Sequence, residues 1–268
     1  AGTLNALATL RAAQGRYTEA ERYVRRALSI VKKVSGPEYP RVVVVMNNLA
    51  EIYRLSGRMS EAESLHQQVV VILEKTLGPE HPKLAMALSN LALVYQYRQR
   101  YSQAEPLFLR ALAIEERTFG TNHPTVATLC NNLGSLYFYQ KQYDQAERLL
   151  LRAYNVLEKL LGPEHPEVAT VLHNQARVCF LSHRYSEAES LYRLALAIRE
   201  KSLGPNHPVL AQTLEAYALL LQKTRRKSEA TAMDARAKLI LARIPASRSA
   251  HPTVDVRDLD RNSKAWRE

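Results

Sequence analysis

The sequence predicts an all-α chain of six helix–turn–helix repeats. Three observations carry this. A linker recurs at a fixed spacing, the residues between linkers keep a helical period, and small residues return at the same place in each repeat. The linkers are Gly36-Pro37-Glu38-Tyr39-Pro40, Gly78-Pro79-Glu80-His81-Pro82, Gly120-Thr121-Asn122-His123-Pro124, Gly162-Pro163-Glu164-His165-Pro166 and Gly204-Pro205-Asn206-His207-Pro208. Their second prolines stand at 40, 82, 124, 166 and 208, always 42 residues apart. A fixed period of this kind marks stacked supersecondary units. Extended back by one period, the first linker falls just before Ala1, so the first repeat lacks its opening residues. The chain reads as a fragment or a processed form.

Each linker ends one helix and starts another. Glycine after an apolar helical run supplies the left-handed conformation that closes a helix. The next proline cannot extend that helix. The second proline suits the first position of a new one, where its missing N–H had no partner to lose. In the second repeat Val42, Met46, Leu49, Ala50 and Tyr53 mark one face of a first helix, about residues 41–55. A break follows at Ser56-Gly57-Arg58. A second helix spans about residues 60–77, with Ala62, Leu65, Val69, Ile72 and Leu73 on its apolar side. The third repeat has Leu84, Leu88, Leu91, Ala92 and Tyr95, then Ala104, Leu107, Phe108, Ala111 and Ile114. The fourth has Val126, Cys130, Leu133, Gly134 and Tyr137, then Ala146, Leu149, Leu150, Ala153 and Val156. Two sets of small residues, Ala50/Ala92/Gly134/Ala176/Ala218 and Ala20/Ala62/Ala104/Ala146/Ala188/Ala230, let helix backbones approach closely.

Leu91-Ala92 with Tyr95, Ala104, Phe108 and Ala111 resembles the tetratricopeptide repeat pattern. The 42-residue period, the Gly-x-x-His-Pro linker and Asn47-Asn48-Leu49-Ala50 are similar to the kinesin light chain type of repeat, over residues 1 to about 244. The resemblance implies a right-handed α-solenoid with the first helices lining its concave side. It identifies an architecture and does not make the chain a motor subunit. The repeats fall at 1–36, 37–78, 79–120, 121–162, 163–204 and 205–244. In the last, Asp234 replaces Phe108, Leu150 and Tyr192 of its predecessors, and Lys238 replaces Leu112 and Leu196, as a polar end cap requires.

Residues 245–268 form a polar tail. Three readings stand open for it: a loosely held segment, a solvating cap helix, or a self-peptide around Val254–Leu259 or Trp266 that visits the groove. Kinesin light chains bind acidic peptides centred on Trp or Leu, but Ala265-Trp266-Arg267 is not acidic.

The candidate site lies on the first helices, counted from the linker proline. Position 8 reads Asn48, Asn90, Asn132, Asn174 and Ala216. Asparagine is a mediocre helix former, and its amide both donates and accepts. The resemblance implies that these asparagines hold the main chain of an extended peptide. The competing reading has them bonding to a neighbouring helix within the stack. Asn47, Ser89, Asn131, His173 and Glu215 fill position 7, and Glu51, Leu93, Ser135, Arg177 and Leu219 position 11. Arg54, Leu55, Gln96, Tyr97, Phe138, Tyr139, Phe180 and Leu181 fill positions 14 and 15. Aromatic side chains there are anchors for a partner or, for Phe138 and Phe180, packing under the next turn. The candidate peptide contacts are Asn47, Asn48, Asn90, Tyr97, Asn131, Asn132, Phe138, Asn174, Arg54 and Arg177, the two arginines favouring acidic partners. Position 4 holds Val44, Met86, Thr128, Thr170 and Gln212, which excludes the cationic clamp for chaperone tails.

The chain has 268 residues, 46% of them hydrophobic, which excludes wholesale disorder. Its two cysteines, Cys130 and Cys179, exclude a disulfide scaffold and fall on core-facing positions. No apolar stretch is long enough to span a bilayer. His81, His123, His165 and His207 stand a repeat apart, too far to converge on one metal, and serve as caps or turn packing. No phosphate loop or nucleophile motif points to an enzyme, and no cofactor is implied. The net charge of +11 permits anionic partners, with Arg22, Arg25, Arg26, Lys32 and Lys33 on one second helix, but specific nucleic-acid recognition is not indicated. The reading is a non-enzymatic cytoplasmic scaffold for a protein or peptide partner. The alternatives are a docking segment of a larger signalling protein whose chemistry lies upstream of Ala1, and a basic nucleic-acid binder.

Overall fold

The computed structural model describes residues 1–36 and 40–243. The end of the first linker and the expectations for the tail lie outside these residues. The chain divides into two compact bodies, with the boundary in the helical chain after Thr118. The N-terminal body contains α1 (Gly2–Ala13), α2 (Tyr17–Ser35), α3 (Pro40–Leu55), α4 (Met59–Leu77), α5 (Pro82–Tyr97) and α6 (Tyr101–Phe119), which ends at its border. The C-terminal body contains α7 (Pro124–Tyr139), α8 (Tyr143–Leu161), α9 (Pro166–Leu181), α10 (Tyr185–Leu203), α11 (Val209–Lys223) and α12 (Lys227–Ala242). No strand occurs among the described residues. Both helices of the second repeat start within a residue of their expected positions.

In each body consecutive helices pack in series. In the first, α1 packs on α2 and α3, α2 on α3, α3 on α4 and α4 on α5. In the second, α7 packs on α8 and α9, α8 on α9, α9 on α10 and α11, and α11 on α10 and α12. The 42-residue apolar code forms these cores. Val42, Met46, Leu84, Leu88, Phe108, Leu150 and Tyr192 are all fully buried, each large side chain contributing about 1.5–3 kcal/mol. The small-residue sets are buried at the close approaches. At Gly134 an added Cβ would lie 2.9 Å from Leu150 Cγ, so α7 and α8 leave no room beyond the backbone there.

The linker glycines adopt positive φ as expected, but not the ordinary left-handed helical conformation. Gly78 has φ 88° and ψ 168°, and Gly36, Gly162 and Gly204 match it closely. That region is open essentially to glycine alone. The left-handed residue falls instead in the turn inside each repeat, at Gly15, Gly57, Gln99, Lys141, His183 and Arg225, again 42 apart. Each turn closes with the same pair of bonds. In the third repeat Gln99 N donates to Gln96 O and Arg100 N to Tyr95 O, at 2.9 and 2.8 Å. This double bond satisfies carbonyls left over at the end of a helix.

Ion pairs tie successive repeats together at a separation of 37 residues. Arg58 meets Glu21, Arg100 meets Glu63, Arg184 meets Glu147 and Arg226 meets Glu189, at 2.7–2.9 Å. Most are partly exposed, and each adds a modest amount.

Candidate functional site

The linker histidines cap the first helices. His81, His123 and His165 accept from the backbone N–H two residues on, through Nδ1, at 3.1–3.3 Å. His207 does the same toward Val209. Capping therefore accounts for these four residues. Among the described residues, no group of three or more His, Cys, Asp or Glu could hold a metal ion.

The position-8 asparagines are half-buried. Asn48 Nδ2 donates to Asn5 Oδ1 at 2.9 Å, and Asn174 Nδ2 donates to Asn131 Oδ1 at 2.9 Å. In both cases position 8 of one repeat reaches position 7 of the repeat before. The neighbouring-helix reading thus has direct geometry in two places, one in each body. Each bridge uses a single amide hydrogen, so Asn48 and Asn174 keep further bonding capacity. Asn90 and Asn132 occupy the same half-buried position. Asn47 Oδ1 is buried without a hydrogen-bond partner.

Position 4 is open: Val44 and Met86 are 57% and 54% exposed, and Thr128, Thr170 and Gln212 are exposed too. Tyr97 is also exposed on α5, with Arg54 over its ring at 5.9 Å. Arg54 is half-buried, and Glu51 holds it through two bonds of 2.6–2.7 Å. The exposed anchors of the first-helix face are therefore Val44, Met86 and Tyr97. Phe138 is a correction to the sequence reading. It is only 2% exposed and packs beside Tyr143, the buried alternative of the two considered for it.

Arg177 is likewise a core residue, 7% exposed, stacked over Phe138 at 4.1 Å and donating to Tyr139 Oη at 3.2 Å. Nearby, a buried polar cluster joins α9, α10 and α11. Arg199 of α10 donates to Thr213 Oγ1 of α11, to Val209 O at 3.4 Å and to Thr170 Oγ1 of α9 at 3.3 Å. Thr213 Oγ1 lies 3.2 Å from His173 Nδ1. Burial, then the charges of Arg199 and Arg177, keep the His173 imidazole neutral far below its usual range. Sequence reading passed over Arg199. The signal was present, because its equivalents Val31, Leu73, Leu157 and Leu241 are apolar and only Glu115, in the third repeat, is also charged.

Cys130 and Cys179 are buried thiols outside any disulfide, and burial pushes the Cys179 thiol up to about 12. No described helix is long and apolar enough to cross a membrane. On the basic α2, Arg25 is engaged by Glu21 and Tyr53.

Stacked helix pairs with glycine-closed linkers and small residues at the crossings define a helical-repeat array. The chain belongs to the tetratricopeptide repeat family, whose model matches residues 1–75, 43–117, 83–159, 125–201 and 182–238. No curated protein matches it in sequence. Among solved structures it is similar to a single-residue variant of a kinesin light chain-like protein with nearly identical repeats from Podosopora anserina: 28% identity, TM-score 0.64, over 75% of this chain and 95% of that one. It is also similar to BtubC (BKLC) from P. vanneervenii, at 25% identity and TM-score 0.66, over 89% and 93%. The apo form of RapI, 14% identical with TM-score 0.66 over 90% and 98%, shares the fold. Arrays of this family are typically protein–protein interaction scaffolds and generally not catalysts.

Proposed function

We propose that the chain is a non-enzymatic scaffold that binds an extended peptide of a partner protein along its first helices. The observation that carries this reading is the row of exposed apolar side chains, Val44 and Met86, beside half-buried asparagines with unused bonding capacity. Exposed apolar groups flanked by polar ones mark interaction surfaces. In this reading Val44, Met86 and Tyr97 receive partner side chains and Asn48 and Asn90 contact the peptide main chain, while Asn132 and Asn174 offer the same kind of contact within the C-terminal body; Asn48 and Asn174 also brace the stack. Asn47 and Asn131 support them. Arg54 adds little preference for acidic sequences, since Glu51 already balances it. A cytoplasmic setting, and service as the docking segment of a larger protein, are compatible with the same surface.

The test is selection of peptides from a displayed random library, followed by affinity measurement against Val44→Glu, Met86→Glu and a control, Leu109→Glu. All three residues are exposed, so folding should survive and circular dichroism checks it. Loss of at least about tenfold affinity in the first two variants and none in the control supports the proposal. Equal binding by all three sinks it. Affinity should also fall gently with salt, whereas a phosphate-binding surface would lose it steeply.

A further inference from the structure

We infer that the buried Arg199 guanidinium, between α9, α10 and α11, is a receptor for a carboxylate group. The first argument is positional. The equivalent residues Leu73 and Leu157 are fully buried and complete the core, and Arg199 is buried just as deeply, 3% exposed. An arginine in a leucine position must take a charge out of water, at a penalty of several kcal/mol unless a counter-charge is close.

The second argument is chemical. Among the described residues no carboxylate pairs with Arg199 or with Arg177. Every hydrogen-bond partner of the Arg199 guanidinium is neutral: the Thr213 and Thr170 hydroxyls and the Val209 carbonyl. Its Nε is buried without an acceptor, and so is that of Arg177. Burial draws the Arg199 pKa down to about 10, so the group is still charged at neutral pH. His173, neutral and bonded to Thr213, cannot supply the missing anion.

The third argument is access. Thr170, which accepts from Arg199, is exposed at position 4, on the same face as Val44 and Met86. The guanidinium thus lies one hydroxyl below the surface. An entering carboxylate displaces the long Thr170 contact and takes a planar, two-bond seat, for which guanidinium geometry is suited. The chaperone-tail clamp draws its cations from the first helices, and position 4 lacks them here. This site draws its cation from a second helix instead. It deepens the peptide-binding proposal, because an acidic side chain or a terminal carboxylate of such a peptide is one source. A free small carboxylate is the other.

Thermal unfolding in sodium acetate, sodium glutarate and an acetylated, amidated Gly-Glu-Gly peptide, each against chloride at equal ionic strength, tests the site without a known partner. Wild type should gain about 2–4 °C at saturating carboxylate. Arg199→Leu should gain nothing, while unfolding in chloride at or above the wild-type temperature, since it discards an unpaired buried charge. As a second measurement on wild type, the Arg199 side-chain Nε–Hε resonance should move with acetate and saturate. A larger gain with the peptide assigns the source to a protein partner, and equal gains assign it to a free carboxylate. Either supports the site. A wild type that ignores carboxylates in both measurements, or a leucine variant that keeps the gain, overturns the inference. Failure here would leave the Val44 and Met86 test untouched.

Discussion

Glu63 in the N-terminal body and Arg199 in the C-terminal body are buried to similar depths, 8% and 3% exposed. Their surroundings differ. Arg98 and Arg100 converge on Glu63, the latter at 2.8 Å, and join the second repeat to the third. Arg199 hydrogen-bonds only to hydroxyls and a carbonyl. For the buried histidines the contrast runs the other way between the bodies. His173 is hydrogen-bonded to Thr213 and edge-on to Tyr192. His66 occupies the core position held by Phe108 and Tyr192 in later repeats, and its Nδ1 has no partner. A repeat protein can thus bury charge for cohesion in one body and leave it unbalanced in another. Burial alone does not separate the two uses; the partner does.

The largest expected effect tests the histidines. Burial draws His66 down to about 4, against a pull upward from Glu51. The unfolded chain takes up a proton near pH 6.5, whereas the folded chain resists it. Stability is full above about pH 6.5 and falls as the pH drops toward 4, by about 3 kcal/mol from this residue. His66→Phe should remove most of that loss and raise stability at every pH in the window, measured by urea unfolding at pH 7 and pH 4.5. His173 contributes loss in the same direction, so some pH dependence should remain in the variant. A variant as acid-sensitive as wild type would show that His66 is not buried neutral.

Next comes the ionic contrast itself. Glu63→Gln leaves two guanidiniums without their counter-charge, each about a third exposed, and should lower stability by about 2 kcal/mol. Arg199→Leu should cost nothing. If both variants were destabilised alike, the contrast between the bodies would be false.

Backbone effects are smaller. Lys141 holds φ at 62° in a turn where earlier repeats place Gly15 and Gly57, so Lys141→Gly should stabilise by about 1 kcal/mol. His165→Ala removes a helix cap and should cost about 1 kcal/mol. The two changes should nearly cancel when combined, since they act beyond opposite ends of α8, in different repeats. Smallest is a chemical readout. Neither Cys130 nor Cys179 should react with a thiol reagent at pH 8 until the chain unfolds.

The fold was legible because three kinds of residue repeat with one period: glycine and proline at the breaks, large apolar residues on one face, and alanine at the crossings. Even so, Gln99, Lys141, His183 and Arg225 hid four of the six turns, since a side chain other than glycine can accept a left-handed conformation when two backbone bonds hold it. The candidate site was legible in part. Position 4 and the asparagine positions are set by helical phase, so their partial exposure follows from the spacing. Phe138 and Arg177 lay beyond that logic. Their phase points outward, but Arg177 folds back over Phe138 and Tyr139 and closes that stretch. The ion pairs 37 residues apart were also present as a repeated Glu and Arg, and periodic charge is easily mistaken for a solvated face.

The asparagine bridge, finally, bears on how such a chain can grow. Because position 8 of one repeat meets position 7 of the one before at Asn48–Asn5 and at Asn174–Asn131, a block of 42 residues bounded by such asparagines carries one half of a joint at each end. Excision of residues 41–82 would bring Asn90 against Asn5, an asparagine pair of the same kind as Asn48 with Asn5. Duplication of that block would add a joint without requiring any new residue. A gene built from such cassettes can change its length in one recombination event, and the product inherits a matched seam at the cut.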